Sequence, residues 1–176
     1  RVLDLATFLA GPFAATQLGE FGAEVIKVEL PGVGDATRRF GTMTDCGDTL
    51  PWLSESRNKK CITLDLRKPD GAALLKRLVE KSDVLIENFA PGSMAKRGLG
   101  PEHLEKINPR LVYCALKGFL PGPYEKRPAL DEVVQMMGGL AYMTGPSGRP
   151  LRAGTSVVDI MGGMFGAFGT VLALKQ

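Results

Sequence analysis

The sequence first offers chemistry where an acid stands alone among apolar residues. Asp159 lies in the run Val157 to Met164, at what reads as the start of a helix, with Gly162 and Gly163 one turn further on. Such a carboxylate has two readings. As a helix cap it would accept backbone N–H groups and contribute about 1 kcal/mol. As a nucleophile it would gain from small neighbours that admit a bulky group and from helix N-terminal amides that keep it ionised. Asp131, followed by Glu132, opens another helix-like segment and divides the same way. It either caps its own helix or supplies a second carboxylate to the pocket of Asp159, where two acids would perturb each other's ionisation.

Other chemistries find less support. The single histidine, His103, falls in the charged amphipathic segment Pro101 to Lys106 and reads as surface. A Ser-His or Cys-His nucleophile and a multi-histidine metal site are therefore not expected. The cysteines Cys46, Cys61 and Cys114 show no paired metal spacing. Two of them lie in apolar strand-like runs, so buried thiols in a reducing compartment are expected. A net charge of +3 from 22 basic and 19 acidic residues is too mild for a nucleic-acid partner but leaves room for an anionic small molecule. Gly32 and Gly34 lead to Thr37 rather than a third glycine, and there is no P-loop lysine pattern. Basic residues do cluster, at Arg38, Arg39, Arg57, Lys59, Lys60, Arg67, Lys68, Lys96 and Arg97. Solvated charge is the ordinary reading of such a set, and a site for a phosphorylated cofactor the sharper one.

The elements that must position these residues follow from an alternation of apolar runs and helix-like segments. Val2 to Leu5, Glu24 to Glu29, Cys61 to Leu66, Asp83 to Glu87 and Leu111 to Leu116 read as strands. The segments between them predict βαβ units, hence an α/β fold with a Rossmann-like, mostly parallel sheet flanked by helices. Leu30 to Leu50, rich in glycine and proline, reads as a long loop. A helix opening at Pro69 and Asp70 would turn Ala73, Leu74, Leu78 and Val79 to one face. After the fifth strand, a loop over Gly118 to Pro128 precedes a helix at Asp131 to Met137 and a closing helix from about Val158 to Leu174. In an open parallel sheet ligands bind beyond the carboxyl ends of the strands. That nominates Thr7 to Pro12, Leu30 to Arg39, Arg67 to Lys68, Asn88 to Gly92 and Lys117 to Phe119. No stretch approaches the roughly 18 apolar residues of a membrane span, and no linker divides the 176 residues.

Several segments, taken in order, carry a resemblance. They are Val2 to Leu5, Ala10-Gly11-Pro12, Leu18 to Glu29, Gly34-Asp35 with Arg38, Asn58-Lys59-Lys60, Asp83 to Phe89, Pro91-Gly92, Gly98-Leu99-Gly100, Asn108 to Val112, and Asp159 followed by Gly162-Gly163. Together they resemble the class III CoA-transferases, the family of formyl-CoA transferase and carnitine CoA-transferase, which also includes α-methylacyl-CoA racemase. The resemblance implies that residues 1–176 are one CoA-binding α/β domain, the N-terminal part of a longer subunit with a second, smaller domain, in an interlocked homodimer. It implies an acyl-CoA thioester and a small carboxylic acid as substrates, with no permanently bound cofactor and no metal. It places the catalytic aspartate at Asp159, which would form an acyl-aspartyl anhydride and then an aspartyl-CoA thioester, with Asp131, Gly162, Gly163 and Leu9 around the substrate. It nominates Leu64, Asn88, Phe89 and Lys96 for CoA, with Arg38 and Arg97 as neighbours. The phosphates of CoA need several cations to offset lost hydration.

Two positions depart from the pattern. Formyl-CoA transferase has a glutamine that holds its carboxylate substrate where this chain has Leu9, which speaks against formyl or oxalate specificity. The racemase has a histidine where this chain has Leu130, and a hydrocarbon cannot relay a proton. Racemisation by α-proton abstraction and a non-catalytic CoA-binding role remain the alternatives. The expected compartment is the cytoplasm, or the mitochondrial matrix in a eukaryote.

Overall fold

The computed structural model describes residues 1–176. Five strands, β1 (Val2–Asp4), β2 (Val25–Glu29), β3 (Lys59–Thr63), β4 (Val84–Glu87) and β5 (Val112–Ala115), form a parallel sheet in the order β3-β2-β1-β4-β5. Seven helices accompany them: α1 (Ala10–Glu20), α2 (Leu50–Glu55), α3 (Pro69–Val79), α4 (Pro101–Leu104), α5 (Asp131–Met137), α6 (Leu140–Thr144) and α7 (Val157–Ala173). The predicted α/β architecture is thus the observed one. No helix is long and apolar enough to cross a membrane.

Alternation along the strands divides the apolar residues between two faces. Val2, Val25, Val84 and Ile86 pack with Ala14, Ala15 and Leu18 of α1 and Ala167 of α7. Leu3, Leu5, Val28 and Leu85 pack with Leu75 and Val79 of α3 and with Leu104 of α4. Strand order runs outward from β1 in both directions, so the crevice between the ends of β1 and β4 is a topological switch point, where open α/β sheets bind ligands. Asn88, just past β4, closes this crevice on its inner side. Its Oδ1 accepts from Thr7 N–H at 2.8 Å and its Nδ2 donates to Thr7 C=O at 2.7 Å.

Several expectations need correction. The third strand begins two residues earlier than predicted, at Lys59, and ends at Thr63. The buried face of α3 is Gly71, Leu75 and Val79, while Ala73 and Leu74 face out. Gly71 packs against the Asp65 backbone, which sets that phase. Cys61 is exposed, because β3 is an edge strand. At the end of the long loop, Thr49 Oγ1 accepts from Trp52 N–H and caps α2, a short helix that lies, apart from Leu50, beyond the expected loop.

Candidate active site

Close contact between two helices fixes α7. Gly163, Ala167 and Thr170 are its buried residues. A Cβ at Gly163 would stand 2.5 Å from the Ala10 carbonyl oxygen and 3.0 Å from the Phe13 ring, so only glycine lets α7 lie this close to α1. Gly162, in contrast, has nothing within 4 Å and opens on a cleft. The paired glycines therefore do different things: Gly162 borders the open cleft, and Gly163 belongs to the helix seam rather than to the cleft wall.

Asp159 lies one turn before that seam. It lines a cleft of about 740 Å³ together with Ala10, Asn88, Lys117, Arg127 and Leu130. Its carboxylate is half-buried and caps nothing. The N–H groups of Val158 and Asp159 are taken instead by Asp131 Oδ1, at 2.8 and 3.3 Å. Asp131 thus caps the neighbouring helix rather than its own, an outcome that neither sequence reading of this residue contained. With the helix amides so occupied, Asp159 is pushed up to about 6 by burial first and then by the charges of Asp131 and Glu132, against a lowering by Arg152. The expectation that helix amides hold Asp159 in its anionic form is corrected accordingly. A carboxylate with this value is still about nine-tenths ionised at pH 7, and is more basic than an ordinary aspartate.

The surroundings of Asp131 were not found from sequence. Arg152 Nη2 approaches its Oδ2 at 3.4 Å. The fully buried Gln135 donates to the same oxygen. Gln135 follows Asp131 by four residues, so helical spacing was the one signal that could have paired them. The cation Lys117 is engaged elsewhere, donating to Glu87 at 2.7 and 2.6 Å and to the Phe89 carbonyl at 2.6 Å.

A second cleft, of about 330 Å³, opens at the carboxyl ends of β1 to β4. Its walls include Leu64, Phe89 and Arg97 from the expected CoA set, joined by Arg39 and Arg67, and Phe89 lines the larger cleft as well. Arg38 and Lys96 line neither of these clefts. Arg38 is spent behind the wall, with Nε and Nη2 each 2.8 Å from Glu29 and the guanidinium 3.7 Å from the Trp52 ring centroid. Glu29 in turn accepts from Asp35 N–H at 2.8 Å and shapes the loop. Gly34, with φ of +70°, has room for no side chain between Arg38 and Glu29. Lys96 is exposed, and Leu9 is half-buried at the N-cap of α1 without lining either cleft. No group of three or more His, Cys, Asp or Glu is arranged to hold a metal ion.

Comparison with known proteins agrees with this geometry. The chain is 53% identical, over its full length and 44% of the relative, to the succinyl-CoA–L-malate CoA-transferase beta subunit of Chloroflexus aurantiacus. It is 47% identical to the succinyl-CoA–D-citramalate CoA-transferase of the same organism, again over the whole chain and 44% of the relative. The crystal structure of a CAIB/BAIF family protein from Brucella suis superposes with a TM-score of 0.92 at 40% identity, covering 98% of this chain and 47% of that one. The chain thus spans less than half the length of these proteins. The sequence model of CoA-transferase family III matches residues 1–176 from end to end, and the chain belongs to that family.

Proposed function

We propose that this chain is the CoA-binding domain of an acyl-CoA:carboxylate CoA-transferase whose covalent nucleophile is Asp159. The observation that carries the reading is a half-buried carboxylate without a hydrogen-bond donor, raised to about 6, in a cleft that shares Phe89 with a basic pocket at the switch point. A carboxylate oxygen of Asp159 attacks the thioester carbonyl, the C–S bond breaks, and CoA thiolate leaves behind an acyl-aspartyl anhydride. The thiolate then attacks the aspartyl carbonyl, releasing the first acid and forming an aspartyl-CoA thioester. The acceptor carboxylate attacks that thioester to give a new anhydride, and returning thiolate takes the new acyl group and frees Asp159. No net proton transfer is needed, which suits a site without histidine.

The smaller cleft would hold the nucleotide end of CoA, with Arg39, Arg67 and Arg97 around it, and the larger would hold the thioester. Both curated relatives carry succinyl-CoA in their names, so succinyl-CoA is the donor to try first, with hydroxy-dicarboxylates as acceptors. The second, smaller domain and the interlocked homodimer belong to the same reading. The test is intact-mass analysis of the full-length protein with succinyl-CoA, with hydroxylamine trapping and peptide mapping. A hydroxamate at Asp159 is expected, and full turnover by Asp159→Ala with no adduct in wild type would sink the proposal.

One observation favours a second reading, because a carboxylate near 6 is also a competent base. Its expected partner is lacking, since Leu130 stands beside Asp131, 62% exposed. Incubating a chiral 2-methylacyl-CoA in deuterated water separates the two, as a transferase leaves the α-hydrogen in place.

A further inference from the structure

The segment leading into α7 has to deliver Asp159 to the cleft at a fixed angle, yet Ser156 at its N-cap makes no side-chain hydrogen bond. The constraint comes from α5. Gln135 is 0% exposed. Its Oε1 accepts from Ala153 N–H at 2.7 Å, and its Nε2 donates to Thr155 C=O at 3.2 Å and also to Asp131 Oδ2. Asp131 Oδ1 in turn accepts from Val158 and Asp159 N–H. One amide therefore grips the lead-in at two backbone points and orients the carboxylate that caps the helix.

We propose that Gln135 is the positioning residue for Asp159, an assignment that rests on the nucleophile reading above. An amide suits the position because it carries a donor and an acceptor on one planar head. Glutamate could still accept from Ala153 but would have nothing to donate to Thr155, and would set a second anion against Asp131. Asparagine would fall one methylene short. When the head group is lost, the Asp131 carboxylate is free to turn and release the two α7 amides, so both the direction and the ionisation of Asp159 change. The charged groups facing Asp159 are Asp131, Glu132 and Arg152, with Lys117, Glu125, Lys126 and Arg127 on the cleft wall. Among the side-chain hydrogen bonds, only that of Gln135 reaches the Ala153 N–H, and only that of Gln135 reaches the Thr155 carbonyl.

The test uses the full-length protein with succinyl-CoA. Gln135→Met keeps the volume and removes all three bonds. Its kcat is expected to fall about 100-fold, as misplacement by an ångström does, while KM for succinyl-CoA stays within about twofold, the mark of an interaction that matters in the transition state. Gln135→Glu is expected to move the acid limb of the kcat profile to higher pH, a shift that loosened packing alone does not produce. Gln135→Asn, which keeps the amide but draws it back, carries the test should Gln135→Met not fold. Unchanged kcat, a loss confined to KM, or an acid limb that does not move in Gln135→Glu would each overturn the assignment. Adduct trapping separates the two proposals. An adduct at Asp159 that forms at the wild-type rate in the Gln135 variants overturns the positioning role alone, and no adduct in the wild-type protein overturns both.

Discussion

At the scale of the residue, Asp159 was legible because it is the one acid in an apolar run beside glycines, and its environment was not. Its pKa depends on Asp131, Glu132 and Arg152, which the fold brings to it from positions 28, 27 and 7 residues earlier in the chain. Gln135 was invisible for a related reason, since two of its three partners are backbone groups that no sequence pattern announces. The raised value makes a prediction with a definite sign. The unfolded chain takes up this proton near 3.8 and the folded chain near 6, so folding stability falls as pH rises through that window. Asp159→Asn removes the burdened charge. Its thermal midpoint should equal or exceed that of wild type at pH 7.5, and the advantage should vanish below pH 4, while kcat drops at least about 1000-fold. A variant less stable than wild type at pH 7.5 would contradict the assigned environment. Wild-type kcat/KM for succinyl-CoA should fall on the acid side with a limb near pH 6, readable from a rate profile at substrate well below KM.

At the scale of the element, the strands could be read because a parallel sheet covered on both faces makes its strands nearly continuous apolar runs. The short helices α2 and α6 could not, since five or six residues hold too little of a 3.6-residue period. The face of α3 was misplaced because Leu74 and Leu75 are equally apolar, and only the packing of Gly71 against the Asp65 backbone decides between them. The glycine pair in α7 allows a direct test of the distinction that the fold draws. Gly162→Ala adds a methyl group in open space and removes a flexible helix residue, so it should stabilise by about 0.5–1 kcal/mol. Gly163→Ala drives a methyl into the Ala10 carbonyl and the Phe13 ring, and should destabilise by about 1–3 kcal/mol as the helices part. Urea midpoints of the two variants are expected on opposite sides of wild type. Gly162→Ala should raise KM for acyl-CoA, because its methyl enters the cleft of Asp159, and equal midpoints would argue that α1 and α7 do not lie this close.

At the scale of the whole molecule, the reading of the basic clusters as solvated surface failed at Lys59, whose side chain is out of water, and it passed over Lys27, which stands outside those clusters. Asp4 and Lys27 pair in register on neighbouring strands, beneath α1, and both are essentially inaccessible to water. Lys27 donates to Asp35 at 3.0 Å and to the Ala6 carbonyl, while the buried Lys59 donates to Asp4 and to the Pro12 carbonyl, each at 2.8 Å. Asp35 also accepts from Phe8 N–H at 3.3 Å, so the network ties three strands to the loops that follow β1 and β2. Burial would depress Lys27, but Asp4 and Asp35 hold it above its ordinary value. Burial would raise Asp35, and Lys27 with Thr37 holds it below. Lys27→Met keeps most of the volume while leaving Asp35 without its cation, so it should cost about 3–5 kcal/mol in urea unfolding, the usual result of orphaning a buried charge. The stabilisation of the Asp35 anion is fully present above the unfolded value of 3.8 and is lost as pH falls through the lower folded one. The gap between Lys27→Met and wild type should be widest near neutrality and narrow as pH falls, because without Lys27 burial raises Asp35 and the orphaned carboxylate of the folded variant takes up a proton before that of wild type does. Adding Asp35→Asn removes the orphaned charge and should recover part of the loss. A gap of less than about 1 kcal/mol at pH 7, as for an exposed ion pair, would mean that these charges are not buried together. Because the same bonds hold Phe8 and the loop after β2 at the cleft, the variant should also bind CoA more weakly, joining the stability of the sheet to the shape of its binding edge.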